Sequence, residues 1–368
     1  MIDIGKILKR AWSILWSYKV LWLFGILQAI TGGGGNGGSN SGGSNSGYKF
    51  NGSNGYQGIT PSTNPTVQQL NQWFQENIEP LVLHPDQHVL TFVWIGLGLL
   101  LFLLVIGVIF AIVRYVSETA VIRMVDEYEQ TGNKVGFRQG WKMGWNRRAF
   151  RMWLIDLITA LPFLLLVAIL VGLGAAVFFS VRGGNQVMAA TSIVATIGCA
   201  FIFILAIILM AILLSLLRQF FIRKAVLENN GVAESFRNGW VMFKRNWKSA
   251  ALMWLVMLGV GIAFGIASVI IFFLLIPAYI ILVVPGAIVA AIPGLIVFAI
   301  TSIFASGPLA WILGLLVALP FFLTIVFAPL AFVDGWYKIY ESNVWTLTFR
   351  EIKVLEAVAP ASLPEKIA

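Results

Sequence analysis

The sequence predicts an all-α polytopic transmembrane bundle of about six spans plus one re-entrant element, with amphipathic helices lying at the membrane interface. Three observations predict it. Of 368 residues, 59% are hydrophobic and only 11% charged, with mean hydropathy +0.87, whereas soluble domains carry roughly a quarter of charged residues. The charge is also sorted: of 25 Lys and Arg, four fall in residues 1–19, eight in 114–151 and seven in 218–248, while residues 31–89 hold only Lys49. Finally, a basic-aromatic motif recurs, Phe137-Arg138-Gln139-Gly140-Trp141 and Phe236-Arg237-Asn238-Gly239-Trp240, each copy just before a long apolar run.

On a helix, Phe137, Gly140, Trp141, Gly144 and Trp145 form one stripe, with Arg138, Gln139 and Lys142 turned away from it. Phe236, Gly239, Trp240, Phe243 and Trp247 repeat the stripe. Such a helix suits the membrane interface, with its rings among acyl chains and its cations among phosphates. The expected headgroup contacts are Arg138, Lys142, Arg147, Arg237, Lys244 and Arg245. The expected anchors are Trp12, Trp141, Trp145, Trp240 and Trp247. By the positive-inside rule the basic segments and the N-terminus are cytoplasmic and the Gly-rich segment is outside; in a bacterium the membrane would be the cytoplasmic (inner) one, since a helical bundle rather than a barrel fits this composition.

Taken in order, Ile4, Leu8, Ala11, Trp12, Leu15 and Trp16 share an apolar face, and Lys9-Arg10-Ala11-Trp12 is a degenerate third copy of the motif. A span of about Leu15 to Ile30 follows, barely long enough to cross. Its Lys19 and crowded tryptophans do not read as a cleavable signal. Residues 31–66 contain twelve glycines among Asn and Ser, a composition unable to offset its ordering entropy. Thr66-Val67-Gln68-Gln69 then opens an outer surface helix through Leu81.

The second, third and fourth spans run from about Val89 to Val116, Met152 to Phe179 and Gln186 to Leu217. Ile122-Arg123 and Ile222-Arg223 match at a spacing of 100, which extends the repeat upstream of the motif. Residues 249–333 contain no Asp, Glu, Lys, Arg or His. They hold either three ordinary spans or two spans and a broken element between about Pro277 and Ala305, where Pro285-Gly286 and Pro293-Gly294 interrupt the pattern. Repeat logic favours the broken element. The organisation expected is a single transmembrane domain over residues 1–368, made of three repeat-like units (1–117, 118–217 and 218–350). Residues 31–88 form an outer Gly-rich loop plus surface helix, and 351–368 a cytoplasmic tail.

The pattern of apolar helix, acidic turn, (S/G)-F-R-x-G-W, basic residue and two spans resembles uncharacterised bacterial multi-pass proteins. Among them is the membrane-domain family attached to glycerophosphodiester phosphodiesterases. Trp345-Thr346-Leu347-Thr348-Phe349-Arg350-Glu351 is similar to the W-T-L-x-Y-R-E ending of a related subgroup. The resemblance implies a helical membrane domain and no catalytic residue.

The residues offer little chemistry. His84 and His88 flank Asp86, a divalent-metal pattern that Pro85 and the sparse ligand set turn into polar loop residues. Gly32-Gly33-Gly34-Gly35 lacks the Lys-Ser/Thr of a phosphate loop. Cys199 is a lone cysteine in an apolar run. Asp156 lies about a turn inside the third span, where an acid is either functional or paired with Arg148, Arg151 or Lys19. Gly261 and Gly265 are spaced for close helix approach.

Neither a cofactor nor a metal is expected, and nucleic acid is excluded because the cations flank apolar spans and no binding motif accompanies them. The expected partners are membrane lipids, above all anionic ones, with a protein partner or a second copy besides. Two functions follow: a non-enzymatic protein that organises lipid or partner subunits, and a transporter or permease for an apolar or lipid-like substrate. An enzyme ranks last, since no nucleophile, base and oxyanion site converge.

Overall fold

A computed structural model describes residues 2–32, 89–182, 186–304 and 308–358. The outer loop, the surface helix after Thr66 and the His84/His88 pair lie outside them. Among the described residues there are eleven α-helices and no strand: α1 (Ile4–Ser17), α2 (Val20–Ile30), α3 (Val89–Thr131), α4 (Phe137–Gly144), α5 (Arg147–Arg182), α6 (Gln186–Leu227), α7 (Val232–Arg245), α8 (Trp247–Leu274), α9 (Ile276–Phe304), α10 (Pro308–Val326) and α11 (Ala328–Val358). Five of them are long and apolar enough to cross a membrane, or up to seven if each bent pair counts as a span. The protein is therefore an all-α membrane bundle.

The chain forms two compact units. The first contains described residues 2–32, 111–270 and 331–358. Its core joins α1, α2, the ends of α3 and α6, the start of α8 and α11 from Ile339 onward, through Ile14, Leu21, Phe24, Val121, Met124, Phe220, Met253 and Ile339. Each such side chain, where water is the alternative, contributes about 2 kcal/mol.

Helix ends are set locally. Gly132 (φ 72°) follows α3 in the left-handed region and returns its N–H to the Tyr128 carbonyl at 2.9 Å, a glycine C-terminal stop. Asn229 (φ 58°) is likewise left-handed after α6, where the next N–H, that of Asn230, returns to the Lys224 carbonyl at 3.5 Å. There Arg151 donates to the Asn229 carbonyl at 2.8 Å and to that of Asn230 at 3.1 Å, while Arg148 donates to the Val226 carbonyl at 2.7 Å. Guanidinium groups thus satisfy carbonyls that the helix itself leaves open.

Sequence and structure differ at three places. The first apolar run is not one straight helix: α1 and α2 meet at 98° around Tyr18-Lys19, as a broken span or a re-entrant loop does. Tyr18, buried, donates to the Val135 carbonyl at 2.7 Å and accepts its N–H at 2.5 Å, which pins the corner. At 11 residues, α2 is only about 16 Å long.

The broken element between about Pro277 and Ala305 is instead one 29-residue helix, α9, with Pro285 and Pro293 inside it. It belongs to the second unit, which covers described residues 89–110 and 271–330. There α9 pairs antiparallel with α10. A Cβ on Gly294 would stand 2.9 Å from the Gly314 carbonyl oxygen, and Phe298 packs on Trp311 with centroids 4.2 Å apart. The close backbones hold the helix through its prolines, and in an apolar setting an opened turn would strand its carbonyls.

Lastly, residues 351–358 are helical, continuing α11 by two turns. Ile352 there is fully buried and Lys353 pairs with Glu228 at 3.1 Å.

Candidate functional site

Two arrangements in the first unit bear on function. The first is the basic-aromatic layer of α1, α4 and α7. Asp3 caps α1 by accepting the Lys6 N–H at 3.0 Å, and Glu234 accepts the Gly231 N–H at 3.3 Å to cap α7. An asparagine precedes the long helix after both α4 and α7: Asn146 accepts the Arg147 N–H at 2.7 Å, and Asn246 takes its N–H back to Met242 at 3.2 Å.

Their small residues face the protein. A Cβ on Gly140 would meet Met124 and Phe24, on Gly144 the Val116 carbonyl, and on Gly239 the Phe221 ring at 2.5 Å, while Ala11 is fully buried. The glycines of the predicted stripe are thus the seam onto the bundle.

The rings behave differently. Trp12, Trp145, Trp240 and Trp247 are 55%, 60%, 46% and 54% exposed. Trp141 is half-buried and stacks on Phe24 (centroids 6.5 Å apart) and on Trp145 (6.3 Å). Trp12, Trp16, Trp22 and Trp336 form an aromatic cluster of α1, α2 and α11, with Trp16 5.4 Å and Trp22 5.2 Å from Trp336. Arg138, Lys142, Arg147, Arg237, Lys244 and Arg245 are all exposed, and Arg245 lies 3.8 Å from Glu356. Exposed cations thus flank exposed rings on three short helices that are fixed from behind.

The second arrangement is a charge cluster inside the unit. Arg218 of α6 donates through Nε to Asp156 Oδ1 at 2.7 Å and through Nη2 to Asp156 Oδ2 at 3.0 Å, and Nη2 lies 3.4 Å from Glu118. Its side chain is 8% exposed, against 14% for Asp156 and 20% for Glu118. Arg114 stands 3.9 Å from Asp156. The bidentate fork is the strong form of this contact. Arg223, also buried, donates to the Gln219 side chain at 2.6 Å and to the Ser342 carbonyl at 3.3 Å. Lys338 donates to the Gln28 carbonyl at 3.0 Å.

An outer ring of pairs ties helix ends together: Arg10 to Glu129 at 2.8 Å, Lys224 to Glu228 at 2.9 Å, and Arg350 to Asp126. At Glu228, just past α6, burial acts to raise the carboxyl pKa, but hydrogen bonds and charge from Lys224 and Lys353 override it and hold the group below its ordinary range.

Asp156 is indeed paired, but with Arg218 and Arg114 rather than Arg148, Arg151 or Lys19. Arg148 and Arg151 are occupied by the carbonyls at the end of α6. Sequence reading missed Glu118, Arg218, Glu341 and Lys338. One signal was available: Glu118 and Arg218 are 100 residues apart, the same spacing as Arg123 and Arg223, and Glu118 and Arg218 pair directly. Of the expected close-approach glycines, Gly261 faces Tyr337, while Gly265 has open space. Cys199 is exposed on α6. Among the described residues no three His, Cys, Asp or Glu come together as a metal site.

No curated protein and no solved structure matches the chain. A family model matches residues 3–348, and it is not that of the glycerophosphodiester phosphodiesterase membrane domain. By that match the chain belongs to the family of unknown function DUF7544.

Proposed function

We propose that this chain is a non-catalytic membrane protein whose basic end holds anionic lipid headgroups and so organises lipid or partner subunits around the bundle. The observation that carries this reading is the pairing of exposed Trp12, Trp145, Trp240 and Trp247 with exposed Arg138, Lys142, Arg147, Arg237, Lys244 and Arg245 on helices packed down by glycine or alanine. Rings at the acyl boundary and cations at the phosphates are what a bilayer surface favours.

The reading includes a cytoplasmic-membrane location in a bacterium with the N-terminus inside. It also includes an origin from three related units, and a distant relation to the glycerophosphodiester phosphodiesterase membrane domains through the (S/G)-F-R-x-G-W motif. Each cation near an anionic surface contributes about 1 kcal/mol before screening. The full-length protein and the variant carrying Arg138→Glu, Arg147→Glu, Arg237→Glu and Arg245→Glu are purified from the same membranes and their lipids extracted. The expected result is an anionic-to-zwitterionic lipid ratio at least tenfold lower in the variant; an unchanged ratio defeats the proposal.

A second reading, a transporter for an apolar or lipid-like substrate, is favoured by the cluster around Arg218, since ionisable groups among spanning helices commonly mark pathways. Thermal stabilisation by members of a lipid and metabolite panel tests it, and no stabilisation by any member counts against it.

A further inference from the structure

Glu341 stands apart from the rest of the charge cluster. It lies on α11, partly buried, one turn beyond Lys338 and Tyr337. Among the described residues its carboxylate makes no ion pair within 4.0 Å and no hydrogen bond.

Cations are near, and all are committed elsewhere. Arg218 is held by Asp156 and Glu118, Arg114 faces Asp156, Arg223 is held by Gln219 and the Ser342 carbonyl, and Lys338 by the Gln28 carbonyl. They supply field without hydrogen bonds. Beside them are buried polar atoms with no partner: Ser342 Oγ on the same helix, Ser117 Oγ on α3 and Arg223 Nε on α6. A carboxylate taken from water and given no donor is costly, and the neutral acid is the cheaper form.

We propose that Glu341 is a proton-binding site of the bundle, a carboxyl that takes up and releases a proton while its cationic neighbours stay bound to other groups. The charged and titratable groups acting on it are Glu118 from α3, Arg218 and Arg223 from α6, and Tyr337 and Lys338 from α11 itself, and these in turn stand with Arg114 and Tyr115 of α3, Asp156 of α5 and Asp334 of α11. On α2 the Gln28 carbonyl holds Lys338, and on α8 the Tyr337 ring meets Gly261 and Phe264.

In the protonated form an O–H bond forms on the carboxyl, the proton coming from water, and Lys338 remains on the Gln28 carbonyl near the end of α2. In the ionised form the proton returns to water and the carboxylate competes for Lys338, three residues earlier on α11. Loss of the proton therefore loosens the α2–α11 contact, which elsewhere is tight: a Cβ on Gly335 would stand 2.7 Å from the Gly25 carbonyl carbon. The site goes beyond the lipid reading and does not depend on it.

The test is infrared spectroscopy of the full-length protein in lipid nanodiscs at neutral pH. Wild type is expected to show the carbonyl stretch of a protonated carboxyl, shifted in D₂O. The band is lost in Glu341→Gln, retained in Asp334→Asn, and moved in frequency but present in Glu341→Asp. Absence of the band from wild type overturns the proposal whatever the variants do. So does its persistence in Glu341→Gln, its loss in Asp334→Asn, or its absence from Glu341→Asp.

Discussion

Replacing Arg218 by methionine removes one guanidinium from between two carboxylates while keeping most of its volume. Four contacts go: Nε to Asp156 at 2.7 Å, Nη2 to Asp156 at 3.0 Å, and Nη2 to the two Glu118 oxygens at 3.4 and 3.5 Å. What remains for Asp156 is Arg114 at 3.9 Å and the neighbouring Tyr115 hydroxyl. Breaking one side of a pair this buried costs about 3–5 kcal/mol, most of it from stranding the opposite charge. Neutralising all three residues together, with Arg218→Met, Asp156→Asn and Glu118→Gln, strands nothing and is expected to recover all but about 1 kcal/mol. SDS titration of the full-length protein in mixed micelles, followed by circular dichroism, measures both variants. The reasoning is refuted if the single variant loses less than about 0.5 kcal/mol, as a surface change would, or if the triple variant is no more stable than the single one.

Gly144→Ala places a Cβ against the Val116 carbonyl and 2.9 Å from Ala120 Cβ. Neither can swing aside, so the same titration should show a loss of about 1–3 kcal/mol; Gly136→Ala, with open space around it, is the control expected to change little. Because Lys224 and Lys353 depress the Glu228 pKa in the folded state, its contribution is present above the ordinary carboxylate range and is lost as pH falls through the lower folded value. Wild-type stability should therefore drop between pH of about 5 and 3 by more than that of Glu228→Gln; equal pH profiles would show that the lysines do not hold this carboxylate.

Helix periodicity and charge sorting made the bundle legible, because both are local properties of the chain. So were the two motif helices at Phe137 and Phe236. The corner at Tyr18 was not, since it depends on Val135, far along the chain, accepting and donating to one hydroxyl. The prolines of α9 were read as breaks by their local cost, whereas pairing against Gly314 and the lack of any other partner for their turns keep the helix whole. The stripe of the motif was legible as a stripe, but not its division into glycines against the bundle and rings facing out. Asp156 was legible as a buried acid. Its partner was not, because Arg218 sits at the end of another apolar run and reads locally as a boundary marker.

The most direct test of the account asks whether the rings of α4 and α7 lie at the lipid surface. With the exposed Cys199 replaced by serine, nitroxide labels are placed singly at Trp145, Trp240 and, as a polar-face control, Gln139, in protein reconstituted into anionic liposomes. The account predicts relaxation by oxygen and a depth just below the phosphates at 145 and 240, with the label at 139 relaxed by a water-soluble metal complex. Labels at 145 and 240 reached only by the water-soluble complex, as the control is, would contradict it.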